Sequence, residues 1–320
     1  MRLEAFKLQR TGNAKGKGLE MTGKPNGSRR ATKRTAFAFA FVPLAACAPG
    51  VFDMQSRAVA ASDAGATRRD VDGASAAGST RDDVPADAVL WFAADRASAD
   101  AGGAVLEWKN LGTGEHTARA ADSDSAPKLV TIDGRSWLQL DGQAELILPV
   151  MPAISALSFF AVVNADRSAD ALRCPSLLHL ANRESASVTQ TARLEFGRHM
   201  AEFLYQIDAK EITNAKGSGS FPPQADHLVS VIHGSDRIVR LHVDTQAIKE
   251  PVMLDLPPPV ERGFNYIGHN HYYADATTPR CDAFHGRIAE IMLFDRGVTD
   301  QERARIERYL SRKWGLSFPR

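Results

Sequence analysis

The sequence predicts an all-β fold, a sandwich of two antiparallel sheets closed by one C-terminal α-helix. Three observations carry this expectation. From about Val84 onward, short apolar or alternating segments are separated by turn residues such as Asp133-Gly134 and Asp141-Gly142, which suits antiparallel strands better than parallel βαβ units. Arg237-Ile-Val-Arg-Leu-His-Val243 alternates polar and apolar, as a strand with one buried and one wet face does. One segment near the C-terminus has convincing helical periodicity.

In chain order, strands are expected at Ala88–Phe92, Ala104–Trp108, Lys128–Ile132, Ser136–Leu140, Glu145–Leu148, Ala156–Val163, Ser176–Leu180, Arg193–Phe196, Glu202–Gln206, His227–His233, Arg237–Val243, Phe264–Ile267 and Gly286–Phe294. The helix is expected over 299–314. Thr299-Asp-Gln-Glu302 fits a capping box, Ile306, Tyr309, Leu310 and Trp314 form one apolar face, and Gly315 is placed to end it. Arg303, Arg305, Arg308 and Arg312 read as the solvated face, and Trp108, Trp137 and Trp314 as core.

The chain has 320 residues and a formal charge of +1, unevenly spread. Residues 1–46 hold ten Lys/Arg against Glu4 and Glu20, so 29 basic and 36 acidic residues remain in 47–320, a formal −7. That balance argues against nucleic acid as partner of the folded part. Arg29, Arg30, Lys33 and Arg34 precede an uncharged run of 13 residues, Ala36–Ala48. A spanning helix needs about 20 apolar residues, so the run reads as the core of a signal peptide. Ser28-Arg29-Arg30 also bears on a twin-arginine route. Residues 47–83, rich in Ala, Ser, Gly and Asp, read as a disordered tether, leaving 84–320 as the sandwich domain.

Leu44-Ala45-Ala46-Cys47 resembles the lipobox of bacterial lipoproteins, which implies acylation of Cys47, export and a membrane contact through the lipid alone. A secreted or periplasmic protein is the alternative. With Cys47 so used, Cys174 and Cys281 remain as a pair that either forms a disulfide or stays as two buried thiols.

Ala283-Phe-His-Gly-Arg-Ile-Ala-Glu290, the Asp295-Arg296 turn and the closing Lys313-Trp314-Gly315 resemble the C-terminal signature of bacterial laminin-G-like, concanavalin A-like jelly-roll domains. Leu90-Trp-Phe-Ala-Ala-Asp95, Val105-Leu-Glu-Trp108-Lys-Asn110-Leu-Gly112 and Leu140-Asp-Gly142 resemble the opening strands of that family. The resemblance implies a two-sheet jelly roll with ligands on the concave sheet or rim loops, and it implies no activity. It also makes calcium a candidate cofactor, with Asp275 and Asp282 as candidate ligands.

Chemistry is sparse. Retaining glucanases on this fold carry Glu-x-Asp-x-x-Glu on one strand, and no Glu-x-Asp occurs in the chain. Gly-x-Ser-x-Gly, His-Glu-x-x-His and Cys-x-x-Cys are also absent. The most unusual polar cluster is Gly268-His269-Asn270-His271-Tyr272-Tyr273. His269 and His271 share a face on an extended segment, as a metal pair requires, while Tyr272 or Tyr273 offers a sugar a stacking ring beside His269 and Asn270. The same residues equally suit a plain water-exposed rim loop.

The expectation is therefore a non-catalytic binding module for carbohydrate or a surface protein. A polysaccharide-acting enzyme, with Glu195 and Glu202 as its first carboxylates, and a purely structural envelope protein are the alternatives.

Overall fold

The structure is a computed structural model and describes residues 84–166, 175–183, 193–199, 202–208, 212–217, 221–270 and 283–318. Its strands are β1 (Leu90–Ala93), β2 (Glu107–Trp108), β3 (Ala118–Arg119), β4 (Lys128–Ile132), β5 (Arg135–Asp141), β6 (Leu146–Leu148), β7 (Leu157–Ala165), β8 (Ser176–Ala181) and β9 (Arg193–His199). They continue with β10 (Glu202–Asp208), β11 (Ile212–Gly217), β12 (Asp226–His233), β13 (Ile238–Val243), β14 (Gln246–Ala247), β15 (Val252–Met253), β16 (Phe264–Ile267) and β17 (His285–Phe294), and the chain closes with helix α1 (Asp300–Trp314). The expected two-sheet antiparallel sandwich with a C-terminal helix is the fold observed. Strands β3, β11, β14 and β15 were not expected.

The first sheet runs β14-β13-β12-β7-β17-β5-β4, with β1 also on β17 and β15 on β13. The second runs β11-β10-β9-β8-β16-β6-β3-β2. Between them lies one apolar core, in which Phe159 of the first sheet stacks on Phe196 of the second with ring centroids 4.2 Å apart. The β4–β5 hairpin turns on Asp133 and Gly134, both with positive φ, as a two-residue turn matched to strand twist requires.

Strand β17 organises the first sheet, because it pairs with β7, β5 and β1. Its register shifts between Ile288 and Glu290, a bulge with one extra residue. The bulge resets the alternation, so Ile288 and Ile291 both face the core while Glu290 turns to the outer face. There helix α1 covers it. Thr299 and Glu302 form the capping box and Gly315 ends the helix in the left-handed region at φ 59°.

Glu290 is fully buried, and its carboxylate is saturated by donors from two elements, β1 and α1. Trp91 Nε1 and Trp314 Nε1 donate to it at 2.6 and 2.7 Å, the Tyr309 hydroxyl donates at 3.3 Å, and Lys313 Nζ stands at 2.8 Å. Burial pushes the Glu290 carboxyl above its ordinary range, while Lys313 and the indole donors pull the other way. Thus the Glu, Lys and Trp of the closing signature are structural.

Of the polar residues of β13, expected to be wet, Arg240 stays partly exposed but His242 does not. His242 is buried, and burial together with the nearby Arg303 pushes its pKa down to about 4. Arg303 is likewise not on a solvated face: it donates to Glu307 at 2.7 Å, and Glu307 accepts from Ser230 Oγ at 3.1 Å. Among the described residues, no helix is long and apolar enough to cross a membrane.

Removing the cation beside a buried carboxylate leaves an uncompensated charge, so Lys313→Met is expected to cost about 3 kcal/mol or more in chemical denaturation. Adding Glu290→Gln to that variant is expected to recover part of the loss, measurable as positive coupling in a double-mutant cycle. A second outcome concerns acid. The Arg296 guanidinium holds Glu302 down to about 2 from an ordinary 4.5, so ionised Glu302 stabilises the fold above pH 4.5 and that contribution is lost as pH falls toward 2. Over that window the Tm of Glu302→Gln is expected to fall less steeply than that of the wild type.

Candidate functional site

With α1 lying on the outer face of the first sheet, the outer face of the second is the one on which no helix packs among the described residues. Its side chains follow from strand alternation. Leu178, Leu180, Leu194, Phe196, Tyr205, Ile207 and Ile267 fill the core, so their sequence neighbours face outward. The ladder pairs Glu107 with Arg119, Arg119 with Ile147, Ile147 with Tyr266, Tyr266 with His179, His179 with Glu195, Glu195 with Gln206 and Gln206 with Asn214. These eight residues form a single transverse row over β2-β3-β6-β16-β8-β9-β10-β11, about 34 Å long at the usual inter-strand spacing.

The row is uneven in depth. Tyr266, His179 and Glu195 are 8, 3 and 1 % exposed, whereas Ile147 is 41 % exposed. In the buried stretch the rings of His179 and Tyr266 lie 6.0 Å apart at 40°, and Ser176 Oγ donates to Glu195 Oε1 at 2.6 Å. A register shift between Ser176 and Leu178 turns Ser176 to this face, opposite Gly197. A Cβ on Gly197 would lie 2.6 Å from the Pro175 carbonyl oxygen, so the close approach there requires glycine. At the open end Arg119 Nε donates to Glu107 Oε1 at 2.9 Å beside a cleft of about 400 Å³.

Glu195 and Glu202 share the outer face without converging. Glu195 pairs with Gln206, and Glu202 lies four residues along the same strand, about 13 Å away. Glycoside hydrolysis needs two carboxyl groups roughly 5–9.5 Å apart, so these two do not make a pair. Among the described residues no group of three or more His, Cys, Asp or Glu converges as a metal site would.

Of the residues singled out in the sequence, His269 follows β16 and its Nδ1 stands 3.0 Å from Glu145 Oε2. Gly268 turns the chain there at φ 86°, where a Cβ would collide with Leu140. Asn270 is buried. His271, Tyr272, Tyr273, Asp275, Asp282, Cys47, Cys174 and Cys281 lie outside the described residues. Arg119, Tyr266, His179, Gln206 and Asn214 were not anticipated. Their local signal is a polar or aromatic residue inside an apolar strand, as in Leu178-His179-Leu180 and Tyr205-Gln206-Ile207, but their convergence depends on pairings that one strand does not encode.

No family model matches the chain, and no curated protein matches it. Several solved structures are similar. The CBM40 of Ruminococcus gnavus IT-sialidase bound to α2,3 sialyllactose matches at 11% identity over 47% of this chain and 81% of its own, with a TM-score of 0.39. Domain 4 of a GH43 extracellular arabinanase from Geobacillus stearothermophilus, in complex with arabinotriose, matches at 11% identity over 68% and 98%, with a TM-score of 0.49. Trypanosoma rangeli sialidase in complex with sialic acid matches at 14% identity over 72% of this chain and 33% of its own, with a TM-score of 0.45. Likenesses this distant carry no argument about ligand or activity.

Proposed function

We propose that this chain is a non-catalytic carbohydrate-binding module, exported and held at the cell envelope by an acyl group on Cys47, with residues 47–83 as its tether. The observation that carries the binding reading is the row laid in register across the second sheet's outer face, on which no helix packs among the described residues. Sugars offer hydroxyls to polar side chains and C–H faces to apolar or aromatic ones. The row supplies Gln206, Asn214, Arg119 and Glu107 for the first and the exposed Ile147 for the second. In this reading His269, Asn270, His271, Tyr272 and Tyr273 form a rim loop at the end of β16, Asp275 and Asp282 are the proposed calcium ligands, and Cys174 with Cys281 is the proposed disulfide.

The separation of Glu195 from Glu202 weighs against a glycosidase built on that pair. Binding of the full-length protein to a glycan array, with calcium and again with chelator, tests the module. Gln206→Ala and Asn214→Ala are each expected to weaken whatever glycan binds by about tenfold, the scale of a lost polar contact. Unchanged affinity in both would move the site away from the β10–β11 end of the row, and loss on chelation would direct mutagenesis to Asp275 and Asp282. The anchor has its own test: Cys47→Ala is expected to abolish labelling by a fatty-acid analogue and release the protein from membranes, and retained labelling overturns it.

A further inference from the structure

We infer that the open end of the row, at Glu107, Arg119 and Ile147, is a subsite selective for an uncharged sugar unit; this rests on the carbohydrate-binding reading above. Two clefts flank the Glu107–Arg119 pair. One, of about 400 Å³, is lined by Glu115, Thr117, Arg119, Ile147 and Pro149 among others. The second, of about 340 Å³, includes Arg96, Asp100, Leu106, Glu107 and Lys109. Both sizes suit a small ligand.

Three features of this corner exceed what the fold needs. Arg119 and Glu107 are 64 and 49 % exposed, and an ion pair that open adds little to stability. Leu106 and Ile147 are exposed large apolar residues in the clefts, and Val150, next to Pro149, is a third. Apart from Met253, these are the large hydrophobic side chains exposed among the described residues, so such surface is concentrated here. Finally, the linings balance: Arg96, Lys109 and Arg119 stand against Asp100, Glu107 and Glu115, three positive against three negative.

That balance sets the class of sugar. A carboxylated or sulfated unit seated on Arg119 would meet Glu107 and Glu115, and an aminosugar cation seated on Glu107 would meet Arg119 and Lys109. A neutral ring is repelled by neither. One hydroxyl donates to the Glu107 carboxylate, its neighbour accepts from the Arg119 guanidinium, and each such charge-assisted bond is stronger than a neutral one. The aliphatic face of Ile147 packs against the C–H face of the ring.

The test is calorimetric titration of the full-length protein with two panels. The neutral one is laminarihexaose, xylohexaose, cellohexaose and arabinohexaose; the acidic one is polygalacturonate fragments, sialyllactose and heparin fragments. Binding is expected from the neutral panel and to persist when salt is raised from about 0.05 to about 0.5 M, which screens exposed charges. Glu107→Gln and Arg119→Gln, with unchanged Tm, are each expected to weaken it about tenfold. Binding confined to the acidic panel, or full affinity in both variants while Gln206→Ala loses it, overturns the subsite and leaves the module standing. No binding to either panel overturns both.

Discussion

The buried carboxylate of Glu290 is the constraint from which the rest of the architecture follows. A carboxylate taken out of water is tolerated only when its oxygens are met by donors and a cation is close. Here those donors are Trp91 on β1 and Tyr309, Lys313 and Trp314 on α1, so the first strand must pair beside β17 and the last helix must lie over it. Lys313 also reaches Asp95 at 3.0 Å, tying the segment after β1 to the same point. The two ends of the domain are thereby joined at one charged group, and the first sheet loses its outer face to the helix.

Apolar contact alone would hold the helix without fixing its rotation. Ile306 and Leu310 bury against the sheet non-directionally, and a small roll would exchange one set of contacts for another of similar worth. Polar pairing removes that freedom. Glu290 engages the C-terminal turns of α1, while Glu307, with Ser230 of β12 on one side and Arg303 on the other, engages its middle. Burial pushes the Glu307 carboxyl upward, so its donors offset a real desolvation cost. Arg262 does comparable work away from the helix: fully buried, it donates to the carbonyls of Pro258 and Val260 and ties down the proline-rich segment before β16, and burial lowers its pKa to about 10.

The legible parts of this fold were those with local causes. Thr299 and Glu302 announce the helix because a capping box needs only four residues, and Asp133-Gly134 announces a hairpin because both residues tolerate positive φ. The segment at β11 has β-branched residues only at Ile212 and Thr213 and continues Asn-Ala-Lys-Gly, which are depleted in strands, so pairing with β10 makes it one. Strands β3, β14 and β15 are two residues long and leave no periodicity to read. Arg303 and His242 read as wet because the periodicity of each one's own element puts it on the polar face; their proximity where the helix meets the sheet reverses both environments. The row on the second sheet is the extreme case, since each member sits on a different strand.

The row and the Glu290 cluster share a device. In β17 the extra residue lets Ile288 and Ile291 both reach the core and sends Glu290 outward; in β8 the shift around Leu177 lets Leu178 face the core while Ser176 faces outward to Glu195. Regular alternation would have put Glu290 in phase with Ile288 and Ser176 in phase with Leu178, placing two polar groups in the apolar interior. Each bulge therefore converts one core strand into a strand that also serves an outer face. On the first sheet that outer group is spent on holding the helix. On the second, where no helix packs among the described residues, the same conversion contributes to a face whose polar side chains are aligned by the register of the core behind them, so the sandwich fixes the geometry of the face that it presents.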